Sequence, residues 1–469
     1  MEHPPQAAPD APPRRHDRSA VAIANASLFN VGYLMLGRRR LAAATGLVTL
    51  VLVALLATVF RSAWFEAVVL LWWAALIGHG WILAGRAPAS SRGGRRVPAL
   101  CVTLPVLAAV GLLRFDAAGI EDTVAQARRD GDCAEARDAL DAVWFGHRLA
   151  AAPATARGDR TADACRRLAA AADGLAAGLT GDIAGLRDGH AALAAVLADA
   201  PGHERMVGAT LERFLAGLPA ADACATAGIT DWLRSRKASG DVLDRSEGAV
   251  ARTAPTALVR CGDRLMSGRS WQTARSRYEQ LLALYPGDAL AAEARAGARK
   301  ATRAIELAAV RELLKADDGE EPRYCAAPAK YTGADARGGG VNRALFVGDD
   351  EHASALPKKW RTTDPADAVL VVCLGEQRFG PVQQSCPYTY GGGKIVTVRF
   401  HKIEIPVKVY ELRTGEAVAD TEVRIGGGSC PAVIPYTTFG TDTGPPTKEY
   451  VDPSRGDVRA AFEALVTGD

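Results

Sequence analysis

The chain has 469 residues, which is enough for two to four domains. Its 56 lysines and arginines nearly balance 53 acidic residues, and a net charge of +3 does not indicate a nucleic-acid partner. Eight histidines and nine cysteines are scattered without a dense metal-ligand cluster, so no metal or other cofactor is predicted.

Residues 1–18 are polar and rich in proline, and we expect a disordered tail there. Three apolar runs follow at 41–60, 67–85 and 97–113, and none of them contains a charge. Each is long enough to cross a hydrocarbon core of about 30 Å, although the third is short and contains two prolines. We therefore predict a membrane region at 19–115 with three spans, in which residues 19–37 either lie on the membrane or cross it.

The arginines orient these spans. Basic clusters precede the first span and separate the second from the third: Arg38, Arg39, Arg40, Arg86, Arg92, Arg95 and Arg96. Because such clusters stay in the cytoplasm, the N-terminus is predicted to be cytoplasmic and the chain after about residue 114 extracytoplasmic. No cleaved signal peptide is expected, since about 40 residues precede the first long apolar run. For His79 in the second span, a helix contact is favoured over proton transfer.

The cysteines agree with this topology. Cys101 lies within the third span, and the other eight follow it, in the part predicted to be outside: Cys133, Cys165, Cys224, Cys261, Cys325, Cys373, Cys386 and Cys430. An even number in an oxidising compartment favours disulfides over buried free thiols. The counts allow two bridges in a helical half and two in a strand-rich half. Cys373–Cys386 with Cys325–Cys430 is the preferred pairing in the second half, although the sequence does not determine it.

Residues 116–318 are predicted to be helical, with breaks at Pro153, Gly181, Pro201–Gly202, Pro219, Ser239–Gly240, Gly268 and Pro286–Gly287. Successive antiparallel helices of this kind are typical of an α-solenoid.

The clearest repeat unit lies at 261–288. Gly262, Ala274 and Pro286 are spaced twelve residues apart, and Tyr278 occupies an aromatic position between them. This pattern is similar to the tetratricopeptide repeat, in which small residues let two helices cross closely and proline ends the second. Gly131 and Ala136 form a second fragment with the same type of turn.

Residues 319–469 are predicted to form a small α+β domain with an antiparallel sheet. The run 368–374 is typical of a buried strand, and 417–425 alternates as a strand should. In 395–412 the apolar positions change phase near His401–Lys402, which predicts a bulge or a break. Pro406 predicts an edge strand, 413–416 a hairpin turn, and the final residues a short helix.

The sequence resembles a family of uncharacterised bacterial multi-pass membrane proteins. The resemblance is carried by "LFN…GYLMLGR…GW" at 28–38 and 80–81, and by "VVCL…SCPY…VKVYELRTGE…CP" at 371–431. It implies extracytoplasmic tetratricopeptide-like helices followed by a strand domain, and it implies no activity.

Several stretches are similar to catalytic motifs but have simpler interpretations. "YGGGK" at 390–394 lacks the spacing and the hydroxyl residue of a phosphate-binding loop, so a hairpin turn is favoured. His401 and Glu404 are expected on a solvated face rather than on a metal. The "RGD" triplets at 157–159 and 455–457 are expected in capped turns. No catalytic residue is predicted.

We therefore expect a mainly α protein with transmembrane helices, a tetratricopeptide-like array and a small α+β domain. Its predicted function is that of a membrane-anchored extracytoplasmic binding or scaffold protein, with a protein or peptide partner on the helical repeats. Two alternatives remain open. One is an envelope enzyme with a site at the domain junction, and the other is a ligand sensor that relays through the membrane bundle.

Overall fold

A computed structural model describes residues 18–27, 30–86, 96–316, 321–348, 351–437, 440 and 444–468. The predicted disordered tail therefore lies outside the described residues, apart from Arg18. The chain divides into two compact units, 1–257 and 258–469, and it is mainly helical. The predicted domain border at 318/319 stays a prediction.

The helices are α1 Arg18–Asn25, α2 Val31–Met35, α3 Arg39–Thr58, α4 Ala63–Arg86, α5 Arg96–Asp130, α6 Cys133–Asp141, α7 Phe145–Ala150, α8 Ala152–Leu179, α9 Ile183–Asp199, α10 Glu204–Ala216, α11 Ala223–Ser235, α12 Ser246–Ser267, α13 Trp271–Leu284, α14 Ala291–Leu313, α15 Arg323–Ala326 and α16 Arg455–Val466. The strands are β1 Gly340–Val341, β2 Ala344–Gly348, β3 Leu370–Leu374, β4 Arg378–Tyr390, β5 Lys394–Glu411, β6 Ala417–Ile425, β7 Lys448–Tyr450 and β8 Thr467–Gly468.

Three helices are long and apolar enough to cross a membrane: Arg39–Thr58, Ala63–Arg86 and Ala99–Asp130. The first two agree with the predicted spans. The third predicted span, 97–113, is only the first half of a 35-residue helix, α5. α5 contains Pro105 and continues past it; the helix ends at Asp130, before Gly131, where φ is +78° and the chain turns. A candidate span and the first helix of the following region are therefore one continuous helix.

Two short helices, α1 and α2, lie within the predicted 19–37 segment and pack against the candidate spans. Ala20, Val21 and Ala24 of α1 are buried, and the Thr103 hydroxyl of α5 donates to the Ile23 carbonyl at 2.8 Å. The Asn25 amide donates to the Leu76 carbonyl of α4 at 3.2 Å. These contacts place α1 against α4 and α5.

The helices of 116–257 begin and end where local chemistry predicts. Asp132, Asp182 and Asp222 each accept backbone N–H groups at the starts of α6, α9 and α11. The predicted breaks are confirmed between successive helices, and Pro153 lies in the first turn of α8, where a missing N–H costs nothing. Glycines bring α8 and α9 together: a Cβ at Gly174 would lie 2.9 Å from the Gly185 carbonyl oxygen.

The sheet is mixed, which corrects the prediction of an antiparallel one. The order is β2-β3-β5-β4, and β6 and β7 also pair with β5. β2 runs parallel to β3, and β7 runs parallel to β5, whereas β4 and β6 are antiparallel to β5. Parallel neighbours need a long crossover connection. The stretch between β2 and β3 supplies this connection, but its local sequence does not indicate that β3 pairs with β2.

The predicted irregularity near His401 is confirmed. The buried positions of β5 change phase between Phe400 and Ile403. The register with β4 shifts at this place, so that β4 carries the extra residues around Val382. The predicted turns at 391–393 and 413–416 connect β4 to β5 and β5 to β6.

Pro406 lies in the central strand β5, so the edge-strand prediction is wrong. It pairs with Glu422 of β6, and its carbonyl accepts from the Gly375 backbone N–H at 2.9 Å. The N–H that proline lacks would point to the same side as that carbonyl, where β3 has already ended at Leu374. The ladder therefore needs no donor at Pro406.

The sheet is packed on both faces. One face meets α16 through Phe462 and Val458, and the other meets α14 and α15 through Val310 and Tyr324. Ser454 and Asp457 form a capping box at the start of α16, so the second "RGD" triplet is a helix start as expected. The first triplet, 157–159, lies inside α8, so a capped turn was the wrong expectation there.

Candidate functional site

The predicted repeat residues of 261–288 surround the ring of Tyr278. This side chain is 1% exposed, and its hydroxyl donates to Asp263 Oδ1 at 2.6 Å. A Cβ at Gly262 of α12 or at Gly297 of α14 would lie 2.6 Å from the ring. Burial first, and the hydrogen bond to Asp263 second, raise the pKa of Tyr278. The ring thus fills a slot that only two glycines leave open.

The other predicted repeat positions are also structural. Ala274 is buried, but the nearest atoms to Gly262 belong to Tyr278 and not to Ala274. Pro286 follows the end of α13 at Leu284. Gly131 leaves no room for a side chain, since a Cβ would lie 2.9 Å from the Arg205 carbonyl oxygen, and Ala136 is fully buried.

The disulfides differ from the preferred pairing. The bridges are Cys133–Cys165, Cys325–Cys373 and Cys386–Cys430; Cys224 and Cys261 are also disulfide-bonded, and Cys101 is free. The expected Cys373–Cys386 bridge required β3 and β4 to pair with each other, but they pair with successive parts of β5: Cys373 lies opposite Lys408, and Cys386 lies opposite Val398. Cys373 belongs to the core beneath α14 and α15, whereas Cys386 belongs to the core on the α16 face.

His401 and Glu404 are mostly buried, each 9% exposed, so the solvated-face expectation is wrong. His401 Nδ1 donates to the Gly380 carbonyl at 2.7 Å. Glu404 accepts from Arg378 Nε at 2.9 Å and from Arg424 Nε at 2.8 Å. The hydrogen bond from Arg424, the largest influence, and that from Arg378 hold the pKa of Glu404 below its ordinary value. His401 therefore links β5 to β4, and Glu404 links β5 to both β4 and β6.

A groove of about 430 Å³ lies between the C-terminal end of α5, the first half of α8 and the turn after α9. Arginines line it from two helices: Arg128 of α5, and Arg157, Arg160 and Arg167 of α8. Those of α8 are spaced three and seven residues apart, which keeps them on one side of the helix. This spacing of arginines can be seen in the sequence and is the feature from which one wall of the groove could have been predicted.

The floor of the groove is held by His203, which is 4% exposed. Its Nδ1 donates to the Ala200 carbonyl at 3.0 Å, and its Nε2 lies 3.1 Å from the Thr161 hydroxyl. This pair is similar in outline to a nucleophile and its base. Thr161, however, is 1% exposed, and its hydroxyl also donates to the Arg157 carbonyl at 3.3 Å, so we regard the contact as structural.

Ion pairs join this helical region to the ends of the spans. Arg61, just after α3, pairs with Asp159 of α8 at 2.5 Å and donates to the Thr155 hydroxyl at 2.7 Å. Arg114 of α5 pairs with Glu66 at the start of α4. Ala152 at the start of α8 is buried against Leu56 and Phe65 of the spans. The helices above are therefore fixed to the membrane bundle at several points.

A polar cluster lies within the bundle itself. The Tyr33 hydroxyl is 2.9 Å from His79 Nδ1, and Tyr33 is fully buried. Asn25 Oδ1 and both polar atoms of the Asn30 side chain are buried without a partner among the described residues. Unpaired polar atoms are costly at membrane depth and are commonly functional there. His79 therefore contacts α2 through this hydrogen bond, and the preference for a snorkelling or helix-contact role over proton transfer stays a prediction.

Within the described residues, no group of three or more His, Cys, Asp or Glu side chains is arranged to hold a metal ion. His190 is buried beside Trp232, and burial, with a smaller influence from Arg236, lowers its pKa to about 4. A neutral, buried imidazole of this kind serves packing.

Comparison of the chain with protein families, curated proteins and solved structures found no match.

Proposed function

We propose that the protein is a membrane-anchored scaffold that holds a tetratricopeptide-like helical array at the extracytoplasmic surface, where a protein or peptide partner binds. The observation that carries this proposal is the continuity of α5 from a membrane span into the helical region. A continuous helix, together with the Arg61–Asp159 and Arg114–Glu66 pairs, would hold the following helices close to the bilayer.

The orientation rests on charge and on disulfides. Arginines 38–40 precede α3, and the disulfide-bonded cysteines all follow the third span. Disulfides persist in oxidising compartments, which supports an outside location for the helices and the sheet. The repeat assignment rests on the slot between Gly262 and Gly297, because small residues at helix crossings are what tightly packed helical hairpins require.

Topology has its own test. In a Cys101→Ala background, single variants Ser239→Cys and Ser91→Cys are treated in intact cells with a membrane-impermeant thiol reagent. Ser239→Cys is expected to react in intact cells, and Ser91→Cys only after lysis. The reverse result would place the helical array in the cytoplasm.

The binding role is tested by photo-crosslinking in intact cells. A photoreactive residue is placed at Arg160 in the groove, at Arg213 and Lys300 on other helices, and at Ile395, which is 72% exposed on a β-hairpin, as a control. Scaffolding predicts a discrete adduct of constant mass at one or more helical positions and none at Ile395. Absence of adducts at every helical position would contradict it.

A ligand sensor is the second candidate. One helix, α5, carries both Arg128 of the groove and Thr103, whose hydroxyl holds α1 in the bundle. Occupancy of the groove and the packing of α1 are therefore connected through one continuous helix, which contains Pro105. Hydrogen exchange of α1 that changes when the groove is occupied would favour this role over passive scaffolding.

A further inference from the structure

The arginine groove of the helical region adjoins a second, apolar cavity. This slot of about 50 Å³ lies between α5, α6 and α8, and its walls include Ile120, Val124, Leu140 and Val143. Arg128 and Arg157 line both cavities, so the two spaces adjoin at these side chains. A peptide that lies across both guanidinium groups would reach both.

The charges of the groove do not cancel. Each acid that lines it already faces an arginine: Asp159 pairs with Arg61, Asp163 with Arg166, and Asp199 with Arg167. Arg157 pairs with Glu121.

Arg128 and Arg160 remain, and neither forms an ion pair within the part of the chain that the structure describes. The acid that Arg128 influences is Glu204, whose pKa is held down mainly by the Gly202 backbone N–H. Two guanidinium groups without a matched acid favour a ligand with at least two negative charges.

The slot selects for an apolar group. A water-sized probe needs about 10–15 Å³, so a 50 Å³ slot has room for a group the size of a valine or leucine side chain. Most of its walls are aliphatic, with Glu121, Arg157 and two threonines among them, and burying such a side chain against Ile120, Val124 and Leu140 is favourable by the hydrophobic effect. A free inorganic anion would leave this slot empty.

The height of the groove disfavours a lipid headgroup. α8 runs beside α5, with Arg157 paired to Glu121. Arg128 comes fourteen residues after Arg114, which is about 21 Å along the helix. The polar headgroup layer extends only about 5–8 Å beyond the hydrocarbon. The Arg128 end of the groove therefore lies above the lipid headgroups, whereas Asp159 at its other end meets Arg61, close to the end of α3.

We propose that the groove binds an acidic peptide segment of a partner protein, with an aliphatic side chain in the slot and flanking carboxylates on Arg128 and Arg160. This inference rests on the proposed scaffold function and names the chemistry of its partner. The acidic residues give attraction and orientation, and the aliphatic side chain sets the register.

The test uses the purified full-length protein in detergent and fluorescence anisotropy. The probe is a labelled nine-residue peptide with a central leucine and two acidic residues on each side. One comparison peptide replaces the acids by amides, and a second replaces the leucine by glycine. We expect the first peptide to bind most tightly, and each replacement to weaken binding about tenfold or more. Raised salt should weaken the acidic peptide selectively.

The matched variants are Arg128→Gln/Arg160→Gln and Arg129→Gln/Arg187→Gln, which remove the same charge inside and outside the groove. The first is expected to lose about a hundredfold in affinity, and the second little. Ala125→Leu, which narrows the slot, should abolish the preference for leucine over glycine. Melting curves establish that each variant is folded.

Equal binding by both double variants would overturn the proposal. Competition by millimolar phosphate, together with indifference to the central leucine, would replace it with a small-anion site. Binding to phosphatidylglycerol vesicles but not to the peptide would replace it with a lipid site. Crosslinks elsewhere on the array with an inert groove would leave the scaffold function standing and remove this inference alone.

Discussion

Two side chains in this protein are each packed between two glycines. One lies among helices α12 to α14, and the other lies among α1, α2 and the candidate span α4. Tyr278 lies between Gly262 and Gly297. Asn25 lies between Gly32 and Gly80, where an added Cβ would overlap its amide. In both cases a side chain with a polar end fits between two helices because the facing residues are glycines, which have no Cβ.

The two differ in how their polar atoms are satisfied. The single hydroxyl of Tyr278 is bonded to Asp263. Asn25 uses its Nδ2 on the Leu76 carbonyl, while its Oδ1 has no partner among the described residues. An unpaired polar atom costs more in hydrocarbon than beside water. The hydroxyl of Tyr278 is therefore satisfied, whereas the amide of Asn25 keeps one buried oxygen without a partner among the described residues.

Reduction of the disulfides should have the largest effect on stability. It should destabilise the region of the Tyr278 clamp and leave the region of the Asn25 clamp unchanged. Cys325–Cys373 and Cys386–Cys430 close sequence separations of 48 and 44 residues. Loops of that length contribute about 4 kcal/mol each in the chain-entropy account. Hydrogen exchange of the full-length protein should show lost protection in 258–313 but not in 18–35 after reduction. Equal loss in both segments would mean that the two clamps unfold together.

Alanine at Gly262 or Gly297 should destabilise the Tyr278 clamp by about 1–3 kcal/mol, because the new Cβ meets the ring. Helix propensity alone predicts the opposite effect, because replacing a glycine within a helix by alanine stabilises the helix by about 1 kcal/mol. Thermal unfolding of the full chain measures the change. Gly287→Ala, which meets nothing within 4 Å, is the matched control. In a Tyr278→Leu background the cost of Gly262→Ala should shrink; an unchanged cost would show that the ring is not its cause.

Alanine at Gly80 should destabilise the Asn25 clamp by a smaller amount, about 1–2 kcal/mol, since helices in lipid can separate slightly without exposing apolar surface to water. Gly78→Ala serves as the control, because its Cβ would meet no atom within 4 Å. Unfolding in nanodiscs measures the difference. Asn25→Ala should remove the penalty, and persistence of the penalty in that background would contradict the clamp.

The smallest expected effect is on the loss of stability at acidic pH. Hydrogen bonds from Arg424 and Arg378 lower the folded-state pKa of Glu404. Its contribution to stability is therefore present above the unfolded-state pKa of about 4.3 and is lost as the pH falls through the lower folded value. Glu404→Gln should flatten the fall in stability on acidification, and Glu416→Gln should not. Identical pH profiles for both variants would exclude Glu404 as the source.

Much of the architecture could be predicted because its causes are local. Gly181, Pro201 and Gly268 end helices through backbone geometry, and the uncharged runs in α3 and α4 are spans by length and composition. The change of phase in β5 could be seen because alternation is a property of neighbouring residues. Tyr278 and Gly262 were identified by spacing, although the contact between them was not.

The errors concern residues that are distant in sequence. The Cys373–Cys386 prediction failed because it assumed which strands are neighbours, and the edge-strand prediction for Pro406 failed because it assumed how many strands flank β5. The arginine groove was missed for the same reason: the spacing of Arg157, Arg160 and Arg167 is visible, but Arg128 and the slot beside it come from another helix.

The sequence by itself determined where the chain meets the membrane, where its helices stop, and which segments alternate as strands. These properties follow from hydrophobic length, from backbone restrictions of glycine and proline, and from side-chain periodicity. The tertiary structure alone decided the strand order, the partners of the cysteines, and which arginines were left without acids. Those depend on which distant surfaces exclude water together, and loop closure between them carries no local signal.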